Sequence, residues 1–290
     1  MAAAIRLRLW QRRALDALAA SERPDFLAVA APGAGKTTFA LAAVVRSLHE
    51  RPARVVVVAP TAHLKRQWAD AAAGVGLVLD PAWAPGVGGL PADVHGLVTT
   101  YQQVAIAPNA VAALARNAVV VLDEVHHAGD ERSWGDALKL AFSGAASRLS
   151  LSGTPFRSDR AAIPFVAYEL DLARPDFEYG YGEALRDGGV VRPIHFPRVG
   201  GQMEWAAGDG TVQAASFDDP LERTRANQRL RAALSPKGDW LPAVLVAAHH
   251  QLAEVRREHP DAGGLVIATD VDHAREVARQ LAWRCDVDPV

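Results

Sequence analysis

The sequence predicts an α/β fold, a mostly parallel sheet with helices on both faces. Three observations predict it. Strand and helix signals alternate from the start of the chain. A glycine-rich run, Ala30 to Thr37 (AAPGAGKT), lies between an apolar strand pattern and an apolar helix pattern. The polar motifs follow the carboxyl ends of hydrophobic strands, where ligands gather in open α/β sheets.

The elements follow in order. Phe26 to Ala30 reads as a buried strand and Thr37 to Val45 as the helix behind it. The turn between them aims backbone N–H groups at nucleotide phosphates. Lys36 neutralises the outer phosphates and the Thr37 hydroxyl binds Mg²⁺. The strict pattern wants glycine at Ala30, but Gly33 and Gly35 still permit close backbone approach. Ala53 to Ala59 is a β-branched run ended by Pro60, and Ala62 to Ala73 has helical spacing. Val94 to Thr99 is a shorter strand and Asn109 to Ala115 a short helix. Ala118 to Leu122 is the most hydrophobic strand of this half and runs into Asp123-Glu124; Arg148 to Ser152 is another, closed by Gly153-Thr154-Pro155. The pattern changes between Tyr179 and Phe217. A short helix, Gly182 to Arg186, stops at Gly188-Gly189, then Val190 to Val199 and Gln202 to Ala206 alternate like a hairpin. Leu221 to Leu234 and Leu241 to Glu258 read as polar-faced helices, Leu265 to Thr269 as a strand and Val271 to Trp283 as a helix.

Composition narrows the function classes. In 290 residues, half of them apolar, a sizeable core is possible. A net charge of −2 and a pI near 6.6 exclude an overall basic field, so a nucleic-acid site must be a local strip. The lone Cys285 excludes a disulfide framework and a cysteine-based zinc site, which suits the cytoplasm. No stretch is long and apolar enough to span a bilayer, so no membrane role is expected.

The acid pair after the buried strand carries the chemistry. Asp123 can hold Mg²⁺ opposite Thr37, and Glu124 can orient or deprotonate the attacking water. His126 and His127 are adjacent, point apart and have no further ligand nearby, which rules out a structural zinc. His127 reads as a polar link to the Ser152-Gly153-Thr154-Pro155 turn or as a solvent-facing loop histidine. In Leu9 to Leu15, Gln11 reads as a reader of the adenine edge with Trp10 packed beside it, or as a surface glutamine. Pro60 to Trp68 opens a helix with a hydroxyl and two cations, and Thr99 to Gln102 ends a strand in hydrogen-bonding side chains; both suit a nucleic-acid backbone. For Lys65 and Arg66 a capped helix with a solvated basic face is the alternative.

Taken in order, the glutamine segment, AAPGAGKT, VVVVAPTAHLKRQW, VTTYQQV, VVVLDEVHH and LSLSGTPFR resemble the successive motifs of the superfamily 2 helicases. The DEAD/DEAH-type group, which includes the motor subunits of type I and type III restriction enzymes, is the nearest in pattern. The resemblance is dense from Leu7 to Arg157. From Gly263, GGLVIATDVDHAREVARQL resembles the first strand and helix of a second RecA-like domain.

The resemblance implies a P-loop NTPase with a RecA-like ATP-binding domain over residues 1–175, a hairpin-like insertion and linker over 176–235, and an incomplete second lobe over 236–290. It implies that Gln11 contacts adenine and that Pro32, Gly33, Ala34, Gly35, Lys36, Thr37 and Thr38 bind the phosphates of ATP. Thr37 and Asp123 would hold Mg²⁺, with Glu124 as base beside Lys36 and Asp123. Ser152 and Thr154, with His127, would couple ATP state to domain motion. Thr61, Lys65, Thr100 and Gln102 would meet the phosphates of DNA or RNA, with DNA favoured over RNA as the partner. Val125-His126-His127 departs from the strict DEAD and DEAH tetrads. The late motifs that carry arginine fingers, worth on the order of 10³-fold in related NTPases, are not in the sequence. The chain therefore reads as the ATP-binding half of a helicase or translocase. A restriction-enzyme motor part and a non-hydrolysing nucleotide-binding regulator are the alternatives.

Overall fold

The computed structural model describes residues 5–86, 88–126, 132–153, 162–170, 172–191, 199–206 and 210–289, with the side chains of 132 and 133 excepted. The chain divides into two compact units, Met1–Ile194 and His195–Val290.

The first unit is α/β. In chain order its elements are α1 (Leu9–Ala20), β1 (Asp25–Ala30), α2 (Lys36–Glu50), β2 (Val55–Ala59), α3 (Ala62–Gly74), β3 (Leu79–Asp80), β4 (Gly96–Thr100), α4 (Tyr101–Ile106), α5 (Pro108–Ala115), β5 (Val119–Leu122), α6 (Arg132–Phe142), β6 (Ser147–Ser152), β7 (Ala167–Glu169), β8 (Leu172–Arg174), β9 (Phe177–Tyr179) and α7 (Tyr181–Asp187). Seven strands form one sheet in the order β3-β4-β2-β5-β6-β1-β9, and every pairing in it is parallel. The expected fold class is thereby borne out.

A parallel sheet covered on both faces needs strands that are apolar on both sides, which explains the uninterrupted VVVV and VVVL runs. Alternate side chains of those runs enter different cores. Val55, Val57, Val119, Val121 and Leu151 join one cluster with Trp10, Phe39 and Trp68. Val56, Val58, Val120 and Leu122 join the other with Tyr101, Leu138 and Phe142. The close pairing of β2 and β4 is possible because residue 96 is glycine: a Cβ there would stand 1.9 Å from the Val55 carbonyl oxygen.

The register brings Val58 beside Leu122, Leu122 beside Ser150, and Ser152 beside Val29. The residues that follow these strands, Pro60, Asp123, Gly153 and the glycine-rich turn, therefore share one edge. β9 comes just after the expected boundary at residue 175 and pairs with β1 as the sheet's edge strand. Three residues are too few to announce a strand by periodicity.

The second unit contains β10 (Gln202–Ala206), β11 (Val212–Ser216), α8 (Arg223–Ala233), α9 (Trp240–Glu258) and α10 (Val271–Cys285). The three helices match expectation to within two residues at each end. The hairpin does not have the expected partners. Gln202–Ala206 pairs antiparallel with Val212–Ser216, because this register turns Met203, Trp205 and Ala215 onto one face, where they meet Ala233 of α8. Val190 and Val191 pack instead against the first unit's larger core, and residues 192–198 lie outside the described residues. Leu265 to Thr269 is not a strand. No strand pairs with it among the described residues, so its backbone gains no ladder, and Leu265 and Ile267 are each 88% exposed. No helix among the described residues is long and apolar enough to cross a membrane.

Candidate nucleotide site

The glycine-rich turn leaves β1 and enters α2 through Gly35, whose φ of 95° lies in the left-handed region that favours glycine. No side chain caps α2. The N–H groups of its first turn thus have no intrahelical acceptor and lie where the helix dipole is positive, the arrangement that receives phosphate.

The turn is held from outside by the start of α1. Arg8 donates to the carbonyl of Ala34 at 3.1 Å, as does the indole of Trp10, also at 3.1 Å. The amide of Gln11 donates to the Gly35 carbonyl at 2.9 Å and accepts the Arg8 N–H at 2.7 Å. Drawing these carbonyls towards α1 orients the peptide units of the turn. Gln11 is 2% exposed, so the alternative of a surface glutamine does not describe it. Trp10 is itself clamped, stacked on Tyr179 at a centroid distance of 5.1 Å and an interplanar angle of 11°, with Phe39 at 5.7 Å on another side. Tyr179 bonds Asp187 at 2.8 Å, and burial together with this neighbour pushes its hydroxyl up to about 12.

Across the strand ends the acid pair faces the turn. Lys36 Nζ lies 3.1 Å from Glu124 Oε1 and 3.2 Å from the Ala30 carbonyl. The other oxygen of Glu124 accepts the Gly153 N–H at 3.1 Å. A Cβ on Gly153 would stand 3.3 Å from Lys36 Nζ, close enough that the lysine would have to shift slightly. Glu124 has a φ of 46°, unusual for a residue with a side chain, and such strain persists where the surroundings fix it.

Asp123 is buried. Trp68 Nε1 donates to its Oδ2 at 2.8 Å, and the Tyr101 hydroxyl donates to its backbone carbonyl at 2.8 Å. Burial raises the Asp123 carboxyl above the usual carboxylate range, and the Trp68 bond opposes the rise. The ion pairs among the described residues give Asp123 no cation of its own. A buried carboxylate with no cation partner among the described residues is the kind of group that can take a divalent cation. Among the described residues there is no group of three or more His, Cys, Asp or Glu side chains that could hold a metal ion.

His126 makes a link that the sequence assigned to His127. Its Nδ1 lies 3.0 Å from Ser152 Oγ and 3.6 Å from Glu124 Oε2, so it joins the acid pair to the end of β6. His127 and Thr154 lie outside the described residues.

The residues expected to face a nucleic acid divide. Thr61 caps α3, accepting the Leu64 N–H at 3.4 Å, and is exposed. Thr100 is buried, caps α4 and shares a capping box with Gln103, whereas Gln102 is exposed. Lys65 turns inward instead: its ammonium donates to Gln103 Oε1 at 3.0 Å and to the Trp83 carbonyl at 3.3 Å, and burial lowers its pKa. Neither a free phosphate contact nor a solvated basic face describes that placement. Trp68, Tyr101, Gln103, His126, Arg8 and Tyr179 belong to this network without having been singled out for it. Of these, Trp68, Tyr101, Gln103 and His126 stand inside motif segments.

Comparison with known proteins agrees with the motif order. Residues 4–157 match the family model described as type III restriction enzyme, res subunit. The chain is 46% identical over 291 residues to the uncharacterized protein Rv2917 of Mycobacterium tuberculosis (strain ATCC 25618 / H37Rv), covering 98% of this chain and 48% of that protein. It is also 46% identical over 291 residues to the uncharacterized protein ML1624 of Mycobacterium leprae (strain TN), covering 98% and 49%. The chain thus spans about half the length of the curated relatives it matches. Among solved structures it is similar to a nuclease-deletion mutant of the type ISP restriction-modification enzyme LlaGI in complex with a DNA substrate mimic, at 17% identity, a TM-score of 0.46, and coverage of 63% of this chain and 20% of that one. For the UvsW helicase from bacteriophage T4 the values are 16%, 0.40, 51% and 52%. With the family match spanning over half of its residues, the chain belongs to the type III restriction enzyme res subunit family, a family of helicase-like ATPase domains.

Proposed function

We propose that the first unit binds ATP with Mg²⁺ and hydrolyses it as the ATP-binding half of a nucleic-acid motor acting on DNA rather than RNA. The observation that carries this reading is the meeting of Lys36, Glu124 and the Gly153 N–H within 3.1 Å contacts beside an uncapped helix start. The backbone from Pro32 through Gly35, including Gly33 and Ala34, with Lys36, Thr37 and Thr38, receives the phosphates. Gln11 borders the base. Thr37 and Asp123 hold Mg²⁺, which when bound supplies charge neutralisation at the phosphates. Lys36 exchanges Glu124 for the outer phosphates. That exchange frees Glu124 Oε1 to orient the attacking water and accept its proton. His126 ties this carboxylate to Ser152, so the state of the site reaches the β6 turn, where Thr154 follows. Thr61, Thr100 and Gln102 meet the nucleic-acid backbone, while Lys65 braces α3 against α4. The cytoplasm suits a chain with one unpaired cysteine. The family match favours a motor within a restriction-type assembly as a second reading. A non-hydrolysing regulator has no use for Glu124.

The test is steady-state ATPase activity with and without single-stranded DNA or RNA. We expect DNA to stimulate turnover and Glu124→Gln or Lys36→Ala to reduce it by about 10²-fold or more. Undiminished turnover in both variants would overturn the assignment.

A further inference from the structure

Two buried hydrogen bonds tie the nucleic-acid side of the first unit to Asp123. α3 begins at the cap Thr61, and two turns later Trp68, 2% exposed, donates its indole N–H to the Asp123 carboxylate at 2.8 Å. α4 begins at the cap Thr100, and the next residue, Tyr101, 1% exposed, donates its hydroxyl to the Asp123 carbonyl at 2.8 Å. One bond holds the side chain of Asp123 and the other its main chain. The two helices are also joined to each other. Gln103 Oε1 accepts from Lys65 of α3 at 3.0 Å, from the Thr99 hydroxyl at 3.1 Å and from the Thr100 N–H at 3.2 Å. Thr61 and Thr100 thus each open a helix whose buried aromatic side chain bonds the same residue, Asp123.

Packing alone does not ask for these bonds. Phenylalanine would fill most of either position, and an aspartate at the end of a strand needs no indole to fold. Besides satisfying buried polar groups, the Trp68 bond fixes where the carboxylate points and the Tyr101 bond fixes the main chain that carries it. We propose that Trp68 and Tyr101 are positioning residues that couple nucleic-acid contact at Thr61, Thr100 and Gln102 to the aim of Asp123, and so to nucleotide binding. The inference rests on the ATP and nucleic-acid reading above and extends it to two residues outside the motif roles.

The experiment is a linkage measurement on the whole chain, which needs no turnover. The affinity of a fluorescent ATP analogue with Mg²⁺ is measured with and without a saturating single-stranded DNA oligonucleotide, for wild type, Trp68→Phe and Tyr101→Phe. Linkage makes the effect reciprocal, so DNA affinity with and without nucleotide must give the same factor. We expect a wild-type factor of about 10, within the usual range for coupled sites. In each variant it should fall to within about twofold of unity while DNA alone binds within about threefold of wild type. A merely structural role would weaken both ligands and leave the factor intact. Tyr101→Phe, which removes one oxygen and keeps the ring, guards against misfolding of the Trp68 variant. Unchanged factors in both variants would overturn the inference. A wild-type factor of unity with both ligands bound would overturn it and leave the functional reading standing. Failure of wild type to bind either ligand would overturn that reading as well.

Discussion

Val55 to Ala59 and Leu265 to Thr269 are both five-residue apolar runs rich in β-branched side chains, and they end differently. The first is β2, paired with β4 and β5 and at most 1% exposed at every residue. The second has no paired strand among the described residues and shows Leu265 and Ile267 to solvent. Equal propensity thus gives unequal structure, because a strand is stabilised by neighbours that satisfy its backbone and cover both its faces. The chemistry follows the same division. Pairing β1, β5 and β6 in register is what lines up Lys36, Asp123, Glu124 and Gly153, and the described residues of the second unit contain no such row of strand ends.

Truncating one apolar side chain in the paired sheet and one in the unpaired run should give the largest contrast. Leu151→Ala in β6 should cost about 2–5 kcal/mol in denaturant unfolding, since its side chain is fully buried in the larger core. Ile267→Ala should change stability by no more than about 0.5 kcal/mol. A large loss at Ile267 would mean that this run is packed after all. Hydrogen exchange sharpens the same point without mutation: the β2 amides should exchange only on global opening, and those of Leu265 to Thr269 without it.

A smaller effect is expected inside the site. Trp10→Phe keeps the stack on Tyr179 and removes one hydrogen bond to the Ala34 carbonyl, a loss of about 1 kcal/mol. Nucleotide affinity should fall with it, because the freed carbonyl no longer orients the turn. Unaltered affinity would show that Arg8 and Gln11 suffice.

The smallest and most specific effect is electrostatic. Burial raises the Asp123 pKa above its ordinary 3.8, so between 3.8 and the raised value the folded state binds more protons than the unfolded state. Stability therefore falls as pH rises through that window, and at neutral pH the buried charge is a cost. Asp123→Asn should raise the thermal midpoint at neutral pH, with the gain disappearing below pH 3.8, where the carboxyl is protonated in both states. A variant less stable than wild type at neutral pH would mean that the Trp68 bond outweighs burial.

Much of the first unit was legible because its signals are local. A continuous apolar run marks a strand buried on both faces, and a glycine-rich turn before an apolar helix marks a phosphate cradle. Gly33, Gly35, Lys36, Asp123, Glu124 and Ser152 all fall at strand ends for that reason. β9 was less legible, being three residues whose partner β1 lies far back in the chain. The hairpin partners of Gln202–Ala206 were misjudged because alternation identifies a face but not the strand opposite it. Lys65 looked like a surface cation because its acceptors, Trp83 and Gln103, are remote in sequence.

The amino-acid sequence by itself determined the fold class, the central strands β1, β2, β4, β5 and β6, the glycine-rich turn and the acid pair, since each rests on residue type and on spacing within a few residues. Only the tertiary structure decided that His126 meets Ser152, that Gln11 holds the turn from behind, that Lys65 faces inward and that Trp68 and Tyr101 grip Asp123. Those contacts join residues far apart in the chain. Which side chain reaches which partner depends on strand register and helix packing, and no local pattern encodes either.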